Sequence, residues 1–125
     1  MPTVAIIGAS SDRSKFGNKS VRAHLKQGYD VYPVNPKGGE IEGLTAYASI
    51  GEVPVEHLDR ISLYVPPTVG EKLLPAIAEK GCDELWLNPG SESEALVEAA
   101  RQAGLEPIVA CSIVDLGESP GQYGE

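Results

Sequence analysis

The sequence predicts an α/β protein, a single doubly wound, five-stranded parallel sheet with helices on both faces. Three observations lead to it. Short, near-continuous apolar runs rich in β-branched residues recur along the chain, as strands buried on both faces require. Segments of helical spacing alternate with them, joined by short connections. Gly28, Gly81 and Gly104 each follow one of these segments, where a glycine in the left-handed region ends a helix.

The expected strands cover residues 3–8, 29–34, 60–65, 84–88 and 107–111. The first helix covers 18–27, with Val21 and Leu25 four residues apart on its apolar face. The second covers 69–80, carrying Leu73, Leu74, Ile77 and Ala78; Pro75 inside it predicts either a kink or a later start. The third covers 92–103, with Ala95, Leu96, Ala99, Ala100 and Ala103 on its inner face. Residues 35–59 read as loop with one helical turn near 47–51. The domain is expected over residues 1–116, followed by a mobile tail, 117–125, of Gly, Pro and polar residues. Right-handed crossovers leave 3-2-1-4-5 as the simplest strand order. That order puts a switch point between strands 1 and 4, where loops 8–17 and 88–91 would border a ligand crevice.

At 125 residues the chain supports one core and no second domain. A net charge of −8 excludes nucleic acid as a general partner, because phosphate neutralisation dominates that affinity. No run is long enough to span a membrane. The start, Met1-Pro2-Thr3, passes into apolar residues 4–7 without the features of a signal peptide. Two cysteines, Cys82 and Cys111, make neither a disulfide framework nor a metal site. A cytoplasmic protein with reduced thiols is expected. A homodimer is compatible with so small a sheet, and no protein partner is indicated.

The charge is unevenly distributed. Residues 1–40 carry six Lys/Arg against three acids, and residues 41–125 carry four against fifteen. This surplus reads either as a solvated basic helix face or as a local anion site. The helix starts bear on the choice. Thr68 with Glu71, and Ser91 with Glu94, match the capping box. The first helix, with Asn18 as its expected cap, has no carboxylate three residues on, and its opening turns hold Lys19 and Arg22, the wrong sign for the dipole. An anion there would reverse that penalty, and Ser10, Ser11, Ser14 and Gly17 are small enough for backbone to approach a phosphate.

The loop is neither G-x-G-x-x-G nor the G-x-x-x-x-G-K-[ST] P-loop. Strand 2 ends Val34-Asn35-Pro36-Lys37, a cation where an NAD site has an acid for the ribose hydroxyls. That lysine suits a nucleotide with an extra ribose phosphate, NADP or coenzyme A; alternatively it is a solvent residue of a Pro-Lys-Gly-Gly turn.

Four motifs in this order, "GAS…FGN", "VYPVNPK", "YVPP" and "LWLNPGSESE", resemble the small stand-alone CoA-binding proteins. These are similar to the nucleotide-binding domain of the succinyl-CoA synthetase alpha subunit. The resemblance runs from Val4 to Cys111 and implies a Rossmann-like domain that binds coenzyme A or an acyl-CoA. It implies that Gly8, Ala9, Ser10 and Ser11 wrap the diphosphate with Lys15 beside them. Asn35 and Lys37 would address the ribose and its 3′-phosphate. Val65, Pro66 and Pro67 would form one wall by the adenine, and Asn88, Pro89 and Gly90 the other. The phosphohistidine domain of the synthetase has no counterpart here, so ligase chemistry is not implied.

No catalytic residue is assigned. His24, mid-helix, and His57, in a polar loop, are expected at the surface, and no metal-ligand spacing or G-x-S-x-G elbow occurs. Cys111, ending the last strand, is either a buried structural thiol or a partner for the CoA thiol in a mixed disulfide. The leading expectation is a CoA-binding module without chemistry of its own. Its rivals are an NADP-binding oxidoreductase-type module and an interaction domain with a vestigial pocket.

Overall fold

The computed structural model describes residues 1–124. In chain order the elements are β1 (Thr3–Ile7), α1 (Phe16–Lys26), β2 (Asp30–Val34), β3 (Glu40–Ile41), β4 (Leu44–Thr45), β5 (Leu58–Leu63), α2 (Pro67–Lys80), β6 (Cys82–Leu87), α3 (Glu94–Gln102), β7 (Pro107–Val109) and α4 (Ser112–Asp115). Short 3-10 turns occupy Ile50–Glu52 and Pro120–Tyr123. The five long strands form one parallel sheet, and β3 and β4 form a small hairpin. The expected fold class is therefore the observed one.

The strand order is β2-β1-β5-β6-β7. Numbering the sheet strands along the chain, this is 2-1-3-4-5 and differs from the expected 3-2-1-4-5. Pro33 supplies the physical reason. It lies inside β2, opposite Ile6, and cannot donate to a neighbour on its far side, so β2 suits an edge. That edge is closed by Tyr47, whose N–H bonds Pro33 O and whose carbonyl accepts from Asn35 N, each at 2.9 Å. The chain then crosses beneath β1 to form β5 on the other side. The switch point therefore lies between β1 and β5, as in other sheets of this order.

Alternation along each strand divides the residues between two faces. Ala5, Ile7, Ile61, Leu63, Leu85 and Leu87 meet Leu74, Ile77 and Leu96 of α2 and α3 in the larger core, all at most 5% exposed. Burying each such aliphatic side chain contributes about 1.5–3 kcal/mol. On the opposite face Val4, Ile6 and Val31 pack with Val21 of α1.

Farther along that second face the strands present polar groups. Arg60, 5% exposed, pairs with Glu84 (3.0 Å) and Asp115 (2.8 Å) and lies over the Trp86 ring. His24, expected at the surface, is fully buried against it. Its Nδ1–H donates to Ser20 O at 2.8 Å, which leaves Nε2 to accept from Arg60 Nη1 at 3.4 Å. Desolvation, reinforced by the Arg60 charge and opposed by the Ser20 bond, lowers the His24 pKa to about 4. His57 is exposed as expected and pairs with Asp83.

The helix starts differ from the expected caps. α1 begins at Phe16, two residues before the expected Asn18 cap, with Lys15 at the N-cap and no side-chain cap bond. α2 begins with Pro67 at N1 and runs through Pro75, and the Thr68–Glu71 box does not form. α3 is capped by Ser93, whose Oγ accepts from Leu96 N at 3.0 Å, in place of Ser91. Residues 118–124 lie along α1, where Glu118 takes Lys26 (3.2 Å) and Gln27 (2.7 Å). Lys19 donates to Gly124 O at 2.6 Å.

Two predictions follow from this packing. As pH falls from about 6.5 to about 4, the unfolded chain takes a proton on His24 that the folded chain refuses. The fold should lose about 3 kcal/mol across that window through this residue. Urea unfolding at pH 7 and pH 4.5 should show a smaller drop for His24→Gln than for the native chain; equal drops contradict the assignment. Separately, a Cβ at Gly17 would run into the carbonyl of Gly8. Gly17→Ala should therefore destabilise by about 3 kcal/mol or more in urea unfolding, the upper range for overpacking.

Candidate functional site

At the carboxyl ends of the strands, above the β1/β5 switch point, lies a cavity of about 770 Å³. Four loops build it. The loop after β1 contributes Gly8, Ala9, Ser10, Ser11 and Ser14, and leads into Lys15, Phe16 and Gly17 at the start of α1. Asn35 and Lys37 come from the loop after β2. Tyr64, Val65 and Pro66 follow β5, and Pro89, Gly90 and Ser91 follow β6. Twelve of the fourteen expected site residues meet here.

The other two have different places. Pro67 is the first residue of α2 and does not line the cavity. Asn88 is 1% exposed, with its amide fully engaged. Its Nδ2 donates to Ser62 Oγ (2.7 Å) and Leu63 O (2.8 Å), and its Oδ1 accepts from Ser112 N (2.8 Å). It ties β5, β6 and α4 together beneath the cavity, so Pro89 and Gly90 are held in place by it.

Close approach of backbone shapes the floor. A Cβ at Gly8 would lie 2.7 Å from Tyr64 O, so only glycine lets these two loops pass; its φ of +92° favours glycine as well. Gly8 N and Ala9 N both donate to Val34 O, at 3.1 and 3.3 Å. Asn35 Nδ2 donates to Ala9 O at 2.8 Å, and its Oδ1 accepts from Lys37 N at 2.9 Å. Asn35 thus fastens the second loop to the first and orients Lys37.

The rest of the first loop is tied by local bonds. Asp12 accepts from Ser14 N (3.0 Å) and Ser14 Oγ (2.7 Å), which hold its carboxyl below the usual range. Lys15 N donates to Asp12 O at 3.1 Å. Among the described residues, none of the loop's hydrogen bonds uses the N–H of Ser10, Ser11, Phe16 or Gly17. The first turn of α1 holds no acid. The positive end of that dipole and four unengaged donors therefore border a cavity that also has two exposed lysines, Lys15 and Lys37. This arrangement suits a phosphorylated ligand, and its volume falls in the range of small-molecule sites.

The helix cations expected to help do not line the cavity. Arg22 donates to Asn18 Oδ1, Arg13 O and Tyr123 O, and Lys19 reaches Gly124. The basic surplus is thus divided three ways: Lys15 and Lys37 line the cavity, Lys19 and Arg22 bind backbone carbonyls, and Arg13 and Lys26 pair with Glu42 and Glu118. Two lining residues escaped the sequence reading. Phe16, 56% exposed, stands on the rim, and Tyr64 lines the wall. Tyr64 Oη meets Ser112 Oγ at 3.0 Å, and burial raises its phenol pKa. Both stand in motifs that carry the family resemblance, Phe16 in "FGN" and Tyr64 in "YVPP", and that was the available signal for each.

Cys111 is half-buried at the start of α4 and does not line the cavity. Burial pushes the Cys82 thiol up to about 11, which makes it a poor nucleophile. A second depression, about 620 Å³ between α3 and β7, carries Glu92, Glu94 and Glu98, and that sign opposes phosphate. Among the described residues no cluster of three or more His, Cys, Asp or Glu could hold a metal, and no helix is long and apolar enough to cross a membrane.

Several known proteins resemble this chain in sequence and in fold. The chain is 41% identical over 117 residues to the alpha subunit of ADP-forming acetate–CoA ligase II from Pyrococcus furiosus, covering 84% of this chain and 25% of that subunit. It spans about a quarter of the length of the acetate–CoA ligase alpha subunits it matches. Among solved structures, a conserved hypothetical protein from Pyrococcus furiosus superposes with a TM-score of 0.81 at 36% identity, over 92% of this chain and 99% of that one. The dinucleotide-forming acetyl-coenzyme A synthetase 1 of Ca. Korarchaeum cryptofilum, solved with phosphate and ADP, has a TM-score of 0.74 at 28% identity, over 86% of this chain and 25% of that one. The family model described as "CoA binding domain" matches residues 2–117. This chain is a member of the CoA-binding domain family, homologous to the CoA-binding domain of ADP-forming acetate–CoA ligase alpha subunits.

Proposed function

We propose that the chain binds coenzyme A or an acyl-CoA in the cavity above the β1/β5 switch point, as a binding module without catalytic chemistry of its own. One observation carries the reading. The uncapped start of α1, with unengaged N–H groups at Ser10, Ser11, Phe16 and Gly17, faces the same cavity as Lys15 and Lys37.

In this reading Gly8, Ala9, Ser10 and Ser11, with Gly17, hold the diphosphate through backbone donors, and Lys15 supplies charge beside them. Asn35 acts by fixing Lys37, whose ammonium takes the 3′-phosphate of the ribose. Val65, Pro66, Pro89 and Gly90 give the adenosine its rigid flanks; Asn88 and Pro67 support those flanks from behind. Coenzyme A, when bound, supplies a thiol as an acyl carrier, and the protein's part is to hold and orient it. The ligand is a small molecule in a cytoplasmic setting, with homodimerisation compatible with the open β7 edge. The ligase activity of the longer relatives would require their remaining length.

A lysine ending the β2 loop also suits the 2′-phosphate of NADP, which keeps that cofactor as the second reading. Calorimetric titration separates them. Coenzyme A should bind more tightly than 3′-dephospho-CoA and should not be displaced by NADPH. Lys37→Ala should weaken coenzyme A roughly tenfold, the size of one charge-assisted contact, and should abolish the preference between the two CoA forms. Equal affinity for both in the native chain contradicts the role of Lys37, and stronger binding of NADPH selects the second reading.

A further inference from the structure

Three side chains outside the cavity hold the backbone of its first loop from behind. Asn18 is fully buried, and its Nδ2 donates to Ser10 O at 2.9 Å and to Glu42 Oε2 at 3.0 Å. Its Oδ1 accepts from Arg22 Nε at 2.7 Å. Arg22 Nη2 reaches Arg13 O at 2.7 Å and Tyr123 O at 3.2 Å. Glu42 also pairs with Arg13 Nε at 3.3 Å. These bonds secure two loop carbonyls, those of Ser10 and Arg13.

Glu42 is unusual on two counts. Among the described residues it alone of the non-glycines has a positive φ, +50°, a region that disfavours a side chain. It also places a carboxylate behind a loop whose front suits anions, where charge alone would weaken binding. The positive φ belongs to the two-residue turn Glu42-Gly43 that joins β3 to β4, both residues having positive φ. Peptide geometry accounts for the carboxylate. In a trans peptide the N–H points opposite to the preceding C=O. Fixing Ser10 O on Asn18 therefore directs the Ser11 N–H away from Asn18, and Ser11 lines the cavity. Asn18 needs an acceptor for its second N–H, and Glu42 supplies it. Arg22 fixes the amide from its other end and anchors the far part of the loop.

We propose that Asn18, Arg22 and Glu42 are positioning residues of the ligand site: they set the peptide planes of residues 10–14 so that backbone donors face the ligand. The inference rests on the proposed binding of coenzyme A at this loop. It also makes the turn at Pro120–Tyr123, which holds Arg22 through Tyr123 O, a remote support of the same loop.

Glu42→Gly gives a test of sign. Removing a negative charge should tighten an anion, and relieving a positive φ should favour the fold. Positioning predicts the reverse for the ligand: the Kd for coenzyme A should rise roughly tenfold, the size typical of losing an outer support of a binding group, while the thermal midpoint does not fall. Arg22→Lys keeps the charge and cannot make the three directed bonds, so it should weaken coenzyme A to a similar degree; native affinity in this variant would mean that charge alone matters. Amide exchange in the ligand-free proteins gives a readout independent of coenzyme A. The N–H groups of Ser14 and Lys15, which bond Asp12, should exchange faster in both variants. Faster exchange there supports positioning even if the native chain binds no coenzyme A, an outcome that would refute the proposed ligand alone. Unchanged exchange overturns the proposal, as does a Kd at or below the native value in both variants.

Discussion

Gly17 packs against the carbonyl of Gly8, and Gly8 packs against the carbonyl of Tyr64, with no side chain between them. This stack of three backbone segments is the constraint on which the rest depends. It brings the start of α1 down onto the end of β1, and the end of β1 against the end of β5. Any Cβ in the stack would push α1 away from the sheet and widen the gap between the loops. The cavity is the space left above that contact, and the first residues of α1 line it.

The stack also explains why the loop can lack the dinucleotide glycines. A helix start can face a phosphate when its donors are free and its backbone is close to the strand. Gly8 and Gly17 provide the closeness here. The intervening residues need only be held in one conformation, which Asp12, Asn18 and Arg22 accomplish with side-chain bonds to neighbouring backbone. This is preorganisation from behind the site, with the front left for backbone donors. The two sides of α1 divide the work, since Lys19, Arg22 and Lys26 serve residues 118–124 while the helix start serves the cavity.

Much of this was legible in the sequence because strand and helix periodicity is local. The sheet, its three main helices and most loop positions of the site follow from apolar spacing and terminal glycines. The strand order required weighing Pro33, a proline that already marked β2 as an edge. Arg60 and Ser62 alternate with Ile61 and Leu63, a sign that one face of β5 meets polar partners, and a reading of the strand as continuously apolar passes over it. The partners themselves, His24, Asp115 and Ser112, are 36, 55 and 50 residues away in the chain, so only the tertiary fold reveals them. Asn88 stood in a motif of the right family, yet its amide turned inward because three buried groups needed it. Charge sign at α1 was read correctly as unusual, and the compensation came from the chain's own C-terminal carbonyls as well as from an open helix start.

The central claim is that backbone donors between β1 and α1 hold the diphosphate of a CoA ligand. Amide chemical shifts recorded while the native chain is titrated with coenzyme A test it most directly. The account predicts that the largest changes fall on residues 8–17, with Ser10, Ser11, Phe16 and Gly17 foremost and Lys37 next. Changes centred on the groove between α3 and β7, or none at saturating coenzyme A, would contradict it.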